Sequence, residues 1–235
     1  MITVEKKRAN RSVAIAVGAL YIAATVAGAL AVGPVMSLLE TPEMLTTVAE
    51  NESQMLMIVS LEFIMAVTVA GVAFIIYPIL KQDADTNGKE GLASWYLGSR
   101  ITEGALFLVA ILARLSLLTL SQEFLKAGTP ADSFYKVGGT VLVAASNYSY
   151  MLGQSVFCVG AAMLYYLLYQ SKRIPRWLSV WGFIAAPLMF IAGFFVLIDG
   201  DPNSPISTAL YAPMGLQEMV LAIWLIIKGF NTNEK

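Results

Sequence analysis

The stretch YLGSRITEGALFLVAILARLSLLTL, residues 96–120, is long and apolar enough to cross a bilayer as one helix, yet it carries Arg100, Glu103 and Arg114. At about 100° per residue these three charges fall within about 60° of one another, so the helix has a single charged seam. A charge at mid-bilayer costs on the order of 3 kcal/mol on insertion scales, and the seam must therefore face protein rather than lipid. The pattern predicts a central helix in a polytopic bundle.

Five further apolar runs flank it. They cover about Ser12–Val32 (ending at Gly33-Pro34), Met55–Ile79, Tyr148–Tyr169, Leu178–Ile198 and Ala209–Ile227. The first is too long for a signal-peptide core and reads as a crossing helix. Hydrophobic residues make up 57% of the chain and charged residues 13%, with a mean hydropathy of +0.70; these values belong to bilayer-embedded proteins. The spans use nearly all of the 235 residues, so the expected fold is all-α, one six-helix transmembrane domain over residues 1–235 with no soluble domain.

The connections alternate in charge. The segment between the first two spans has Glu40, Glu43, Glu50 and Glu52 and no base, and that between the last two has Asp199 and Asp201. Lys6, Lys7, Arg8 and Arg11 precede the first span, Lys81 and Lys89 follow the second, Lys172, Arg173 and Arg176 follow the fourth, and Lys228 and Lys235 close the chain. The excess of bases on alternate connections places both termini in the cytoplasm; Lys126 and Lys136 in the third connection are outvoted. In that connection Thr129, Pro130 and Asp132 read as cap, first position and first-turn acid of a helix. A single helix from Pro130 to Tyr169 would be about 60 Å long. A break near Gly138-Gly139 or Asn147 is therefore expected, with a short outer interfacial helix before the fourth span. The two halves of three spans would be antiparallel, as in inverted-repeat transporters, but share no sequence similarity.

With no histidine and one cysteine, Cys158, the Ser-His triad, the usual zinc and haem ligands and histidine proton relays are excluded. No cofactor or metal is expected. Asp83-Ala84-Asp85-Thr86-Asn87-Gly88 resembles the opening of an EF-hand loop but has Ser94 at position twelve, and it reads as a turn between spans. Asp199-Gly200-Asp201-Pro202-Asn203 reads likewise. The lack of a basic run beyond Lys6-Lys7-Arg8 argues against nucleic acid.

The candidate site residues are the charges within spans: Glu62, Arg100, Glu103, Arg114 and Glu218, with Gln154 and Gln217 as polar neighbours. Depth along the helices suggests Arg114 with Glu62 and Glu218, and a separate group of Arg100 with Glu103. These charges either fix helix packing or line a pocket for a small amphiphile, an ion or a lipid headgroup. No nucleophile sits with an activating base, so a lipid-modifying enzyme ranks third. Trp95, Tyr96, Trp177 and Trp181 read as interfacial anchors. Tyr165, Tyr166 and Tyr169 with Lys172 and Arg173 could form a rim for anionic lipid. Beyond the bilayer, Met-rich and Gly-containing helix faces permit a homo-oligomer.

Three stretches carry a family resemblance. They are Arg100-Ile101-Thr102-Glu103 through Ser121-Gln122; Tyr166 through Ser179, followed by Trp181-Gly182; and Ala212-Pro213-Met214, Glu218, Ile223-Trp224-Leu225-Ile226 and Lys228-Gly229-Phe230. On these the chain, from about Arg8 to Phe230, resembles the bacterial integral membrane proteins of domain-of-unknown-function family 4386. The resemblance implies a six-helix protein of the cytoplasmic (inner) membrane and implies no reaction.

Overall fold

In the computed structural model α4 (Glu90–Ala127) is a continuous helix of 38 residues, about 57 Å long. The structure describes residues 2–86, 88–127, 132–199 and 204–231, and among these every regular element is helical. In chain order they are α1 (Ile2–Leu39), α2 (Met44–Glu50), α3 (Glu52–Asp85), α4, α5 (Asp132–Ser171), α6 (Arg176–Asp199) and α7 (Pro205–Ile227). All but α2 are long and apolar enough to cross a membrane, and the chain is a multi-pass membrane protein.

The six long helices form a ring in which each packs on its neighbours in sequence. α4 lies between α3 and α5, α1 packs on α3, α6 packs on α5 and α7, and α7 returns to α1. The expectation of a central third span is corrected accordingly. α4 is one wall of the ring, with its charged seam turned inward and Leu108, Val109 and Leu112 exposed outward. A helix with apolar residues on all other sides can face lipid with its back.

Two apolar cores fill the ring. The larger lies toward the face that carries the termini and includes Tyr21, Ile76, Leu80, Tyr96, Leu164 and Leu221, drawn from α1, α3, α4, α5 and α7. The smaller lies toward the opposite face, where Leu38, Leu45, Val48, Ile58 and Leu117 meet. Small residues let helices approach at both levels. A Cβ on Gly18 would collide with the Ala222 carbonyl across the α1–α7 seam, and one on Gly160 would collide with Ser99 across α4–α5.

Two helix ends differ from expectation. Gly33-Pro34 does not end α1, which runs to Leu39. The Pro34 carbonyl, one turn from the helix end, accepts from the Ser37 hydroxyl at 2.9 Å and from Gln54 Nε2 at 3.4 Å, which ties this last turn to α3. The break at Gly138-Gly139 or Asn147 is absent as well, because Asp132–Ser171 is one helix. Gly138 packs under Leu120, and Gly139 lies against Leu45 and Met44 of α2. The glycine pair thus admits neighbours instead of interrupting the helix. Among the described residues the one short helix precedes the second span, not the fourth. The proposed cap Thr129-Pro130, the turn 200–203 and the side chains of Lys6, Lys7 and Arg8 lie outside the described residues.

The ring is latched at its seam. Arg11 of α1 donates to the carbonyls of Leu225 (3.2 Å), Ile226 (2.6 Å) and Ile227 (3.2 Å), acceptors at the end of α7 where intrahelical donors run out. Gly229, at φ +76°, ends that helix by donating to Leu225 O at 3.0 Å. A side chain there would be strained and would also crowd Arg11.

Candidate functional site

The structure sorts the charges within the spans into two centres at different depths. In the first, Arg114 of α4 forms an ion pair with Glu62 of α3, and both are buried. The Arg114 guanidinium also sits 5.5 Å from the centroid of the Tyr150 ring on α5, and that ring stacks on Phe107 at 4.6 Å. One cation, one anion and an aromatic face thus join three adjacent helices. The centre is charge-balanced and lies just beneath the smaller core.

The second centre lies about 21 Å along α4, fourteen residues toward the termini face. Arg100 and Glu103 pair at 2.9 Å, one turn apart, with side chains 3% and 5% exposed. The Arg100 guanidinium lies 4.9 Å from the Phe157 ring centroid. Glu218 of α7 stands within electrostatic range of Arg100, and so do Tyr21, Tyr96 and Tyr165. The Tyr165 hydroxyl donates to Gln217 Oε1, and Gln217 Nε2 donates to the Leu178 carbonyl at 3.2 Å. Five helices therefore supply polar groups to this centre. The Tyr96 hydroxyl is fully buried beside Tyr21, and Arg100 Nε has no hydrogen-bond partner among the described residues.

Glu218 thus belongs with Arg100 and Glu103, and the expectation that it joins Arg114 is corrected. α7 packs chiefly on α1 and α6, and the cation within range of Glu218 is Arg100. Glu218 is nine residues, about 14 Å, from the end of α7, and Arg100 is ten residues, about 15 Å, from the start of α4. The two residues share a depth that Arg114 does not. Two carboxyl groups, Glu103 and Glu218, share the one cation Arg100 here, and no ion pair joins Glu218 to any described residue. Gln154 stands apart from both centres and accepts from the Tyr211 hydroxyl at 3.1 Å.

Sequence reasoning missed a third buried pair. Arg173, in the α5–α6 turn, grips Asp83 of α3 with two parallel bonds, Nε to Oδ2 at 2.7 Å and Nη2 to Oδ1 at 2.6 Å. This fork geometry is the strong form of the contact. It also accounts for the EF-hand-like segment: Asp83 and Asp85 are the last turn of α3 and not a ligating loop. A signal was present, because Ile76, Leu80 and Asp83 continue the buried stripe of α3 at helical spacing.

The same pair reshapes the expected aromatic rim. Tyr165 and Arg173 are buried and drop out of it. At that face Lys89 Nζ donates to the Tyr166 hydroxyl, Gln170 Nε2 donates to the same oxygen at 2.9 Å, and Arg176 lies 5.1 Å from the centroid of the Tyr169 ring. Trp177 and Trp181 stack beside them at 6.4 Å.

Against known proteins, the family described as Domain of unknown function (DUF4386) matches residues 16–229, which include all five charges of the two centres. No curated protein and no solved structure matches the chain.

Proposed function

We propose, from the premise that this chain belongs to the DUF4386 family, that it is a non-enzymatic membrane protein that binds or passes a small amphiphilic or ionic ligand. The ligand's place is the centre of Arg100, Glu103 and Glu218. Its setting is the cytoplasmic membrane with both termini in the cytoplasm, a reading supported by the bases on alternate connections.

The observation that carries the proposal is Glu218, an acid within a span beside a pair that is already neutralised. A device for packing alone has no use for an extra charge where each costs about 3 kcal/mol. A charge that recurs without a partner inside a membrane marks a ligand path or relay by default. The surplus group is a carboxyl, and the surrounding groups are tyrosine hydroxyls and aromatic faces. Among ionic ligands this combination favours a small cation, and among amphiphiles one with a cationic end. Glu62 and Arg114 support the second reading, a structural role, since they balance each other and bridge neighbouring helices.

The test is native mass spectrometry of the protein released from nanodiscs, for the wild type and for Glu218→Gln. A small-molecule adduct at one per chain, lost in a Glu218→Gln protein that keeps its melting temperature, supports the proposal. A wild type that carries no such adduct, with a variant that unfolds at lower temperature, overturns it and leaves the centre as a packing device.

A further inference from the structure

On the outer wall of the ring α5 and α6 part to leave a groove of about 570 Å³. That is within the range of small-molecule sites. Its depth comes from small side chains, Ala162 of α5 and Ala186 of α6, together with Pro187, which cannot complete the α6 hydrogen-bond ladder. Phe183 and Phe190 form the far bank and are themselves exposed. From Tyr166 back to Cys158 on α5, and from Phe183 to Ile191 on α6, the apolar slot runs about 12 Å along the helices. Its walls offer no hydrogen bond, and its open side faces the lipid.

One end is different. Tyr166 closes the slot toward the termini face, and its hydroxyl accepts from both Lys89 and Gln170. With its oxygen so occupied, the hydroxyl proton is the group left to donate outward. Lys89 keeps two further N–H donors, and no carboxylate among the described residues pairs with it. The arrangement is a slot for a hydrocarbon chain that ends in a cluster of donors with a positive charge. We propose that this groove binds one anionic phospholipid, with an acyl chain between α5 and α6 and the headgroup phosphate on Lys89 and Tyr166. The headgroup contacts at Lys89 and Tyr166 do not involve Glu218, so a substitution at either place tests one proposal and not the other.

The experiment reconstitutes the full chain in nanodiscs of phosphatidylcholine and phosphatidylglycerol at a four-to-one ratio and reads the lipid retained in native mass spectra. Wild type should keep one lipid per chain and prefer phosphatidylglycerol over phosphatidylcholine about fivefold after correction for the bilayer ratio, in line with one basic contact near the surface. Lys89→Gln should keep lipid without that enrichment, and Ala162→Phe, which fills the slot, should keep none. Glu218→Gln should behave as wild type. Should Ala162→Phe fail to fold, Lys89→Gln decides alone, since Lys89 lies at the margin of the membrane and outside any helix. Retention of no lipid by the wild type, retention of the two lipids in the four-to-one ratio of the bilayer, or undiminished enrichment in Lys89→Gln would each overturn the proposal.

Discussion

A buried ion pair is weak evidence of stability, because removing its charges from water costs about as much as their attraction returns. For Glu62 and Arg114 the consequence is asymmetric. Glu62→Gln or Arg114→Ala leaves an uncompensated charge and should destabilise the protein by about 3–5 kcal/mol, whereas Glu62→Leu with Arg114→Met should recover most of that loss. Thermal unfolding in detergent checks this; single variants as stable as the wild type would show that the pair does not hold α3 to α4. This pair was legible in the sequence because both residues lie on adjacent spans at a depth set by the helical rise. The Asp83–Arg173 pair was not. Its members are 90 positions apart, and each has the composition of a solvated connection. Glu218 was legible as a charge that needed a neighbour, but which neighbour depends on the order of helices around the ring, and no residue spacing encodes that.

At the scale of elements, apolar windows locate the crossings well and helix ends poorly. Hydropathy marks where a segment is in hydrocarbon, while the helix continues until something else stops it. α4 and α5 extend together past the apolar window, each satisfying the other's side chains, so the glycines of α5 read as a break when they serve as a contact. Gly139 tests the point, since its missing Cβ makes room for Leu45 and Met44. Gly139→Leu should overpack this junction and lower stability by about 1–3 kcal/mol. Hydrogen exchange should show faster opening of α2, with protection of α5 still continuous through residues 138–147. Fast exchange in that segment of the wild type would instead indicate two helices.

For the whole molecule, the even number of crossings and the contact of Arg11 with residues 225–227 bring the two ends of the chain to one face. On the topology proposed from the distribution of bases that face is cytoplasmic, and a fluorescent protein fused after residue 235 should then fold and fluoresce. A phosphatase fused at the same point should be inactive, and a probe in the α1–α2 connection should be reached from outside. The reverse pattern would invert the assignment and place the Lys89 headgroup site in the outer leaflet. The seam between α1 and α7 also has a meaning for biosynthesis. Every other wall of the ring joins helices that leave the ribosome in succession, while this one joins the first to the last. Until α7 is inserted the nascent chain is a horseshoe, and the buried Arg100 and Glu103 stand at an open gap toward lipid or an insertion chaperone. A chain cut short before Pro205 should therefore be degraded faster than the full-length protein, an outcome that pulse-chase labelling reads.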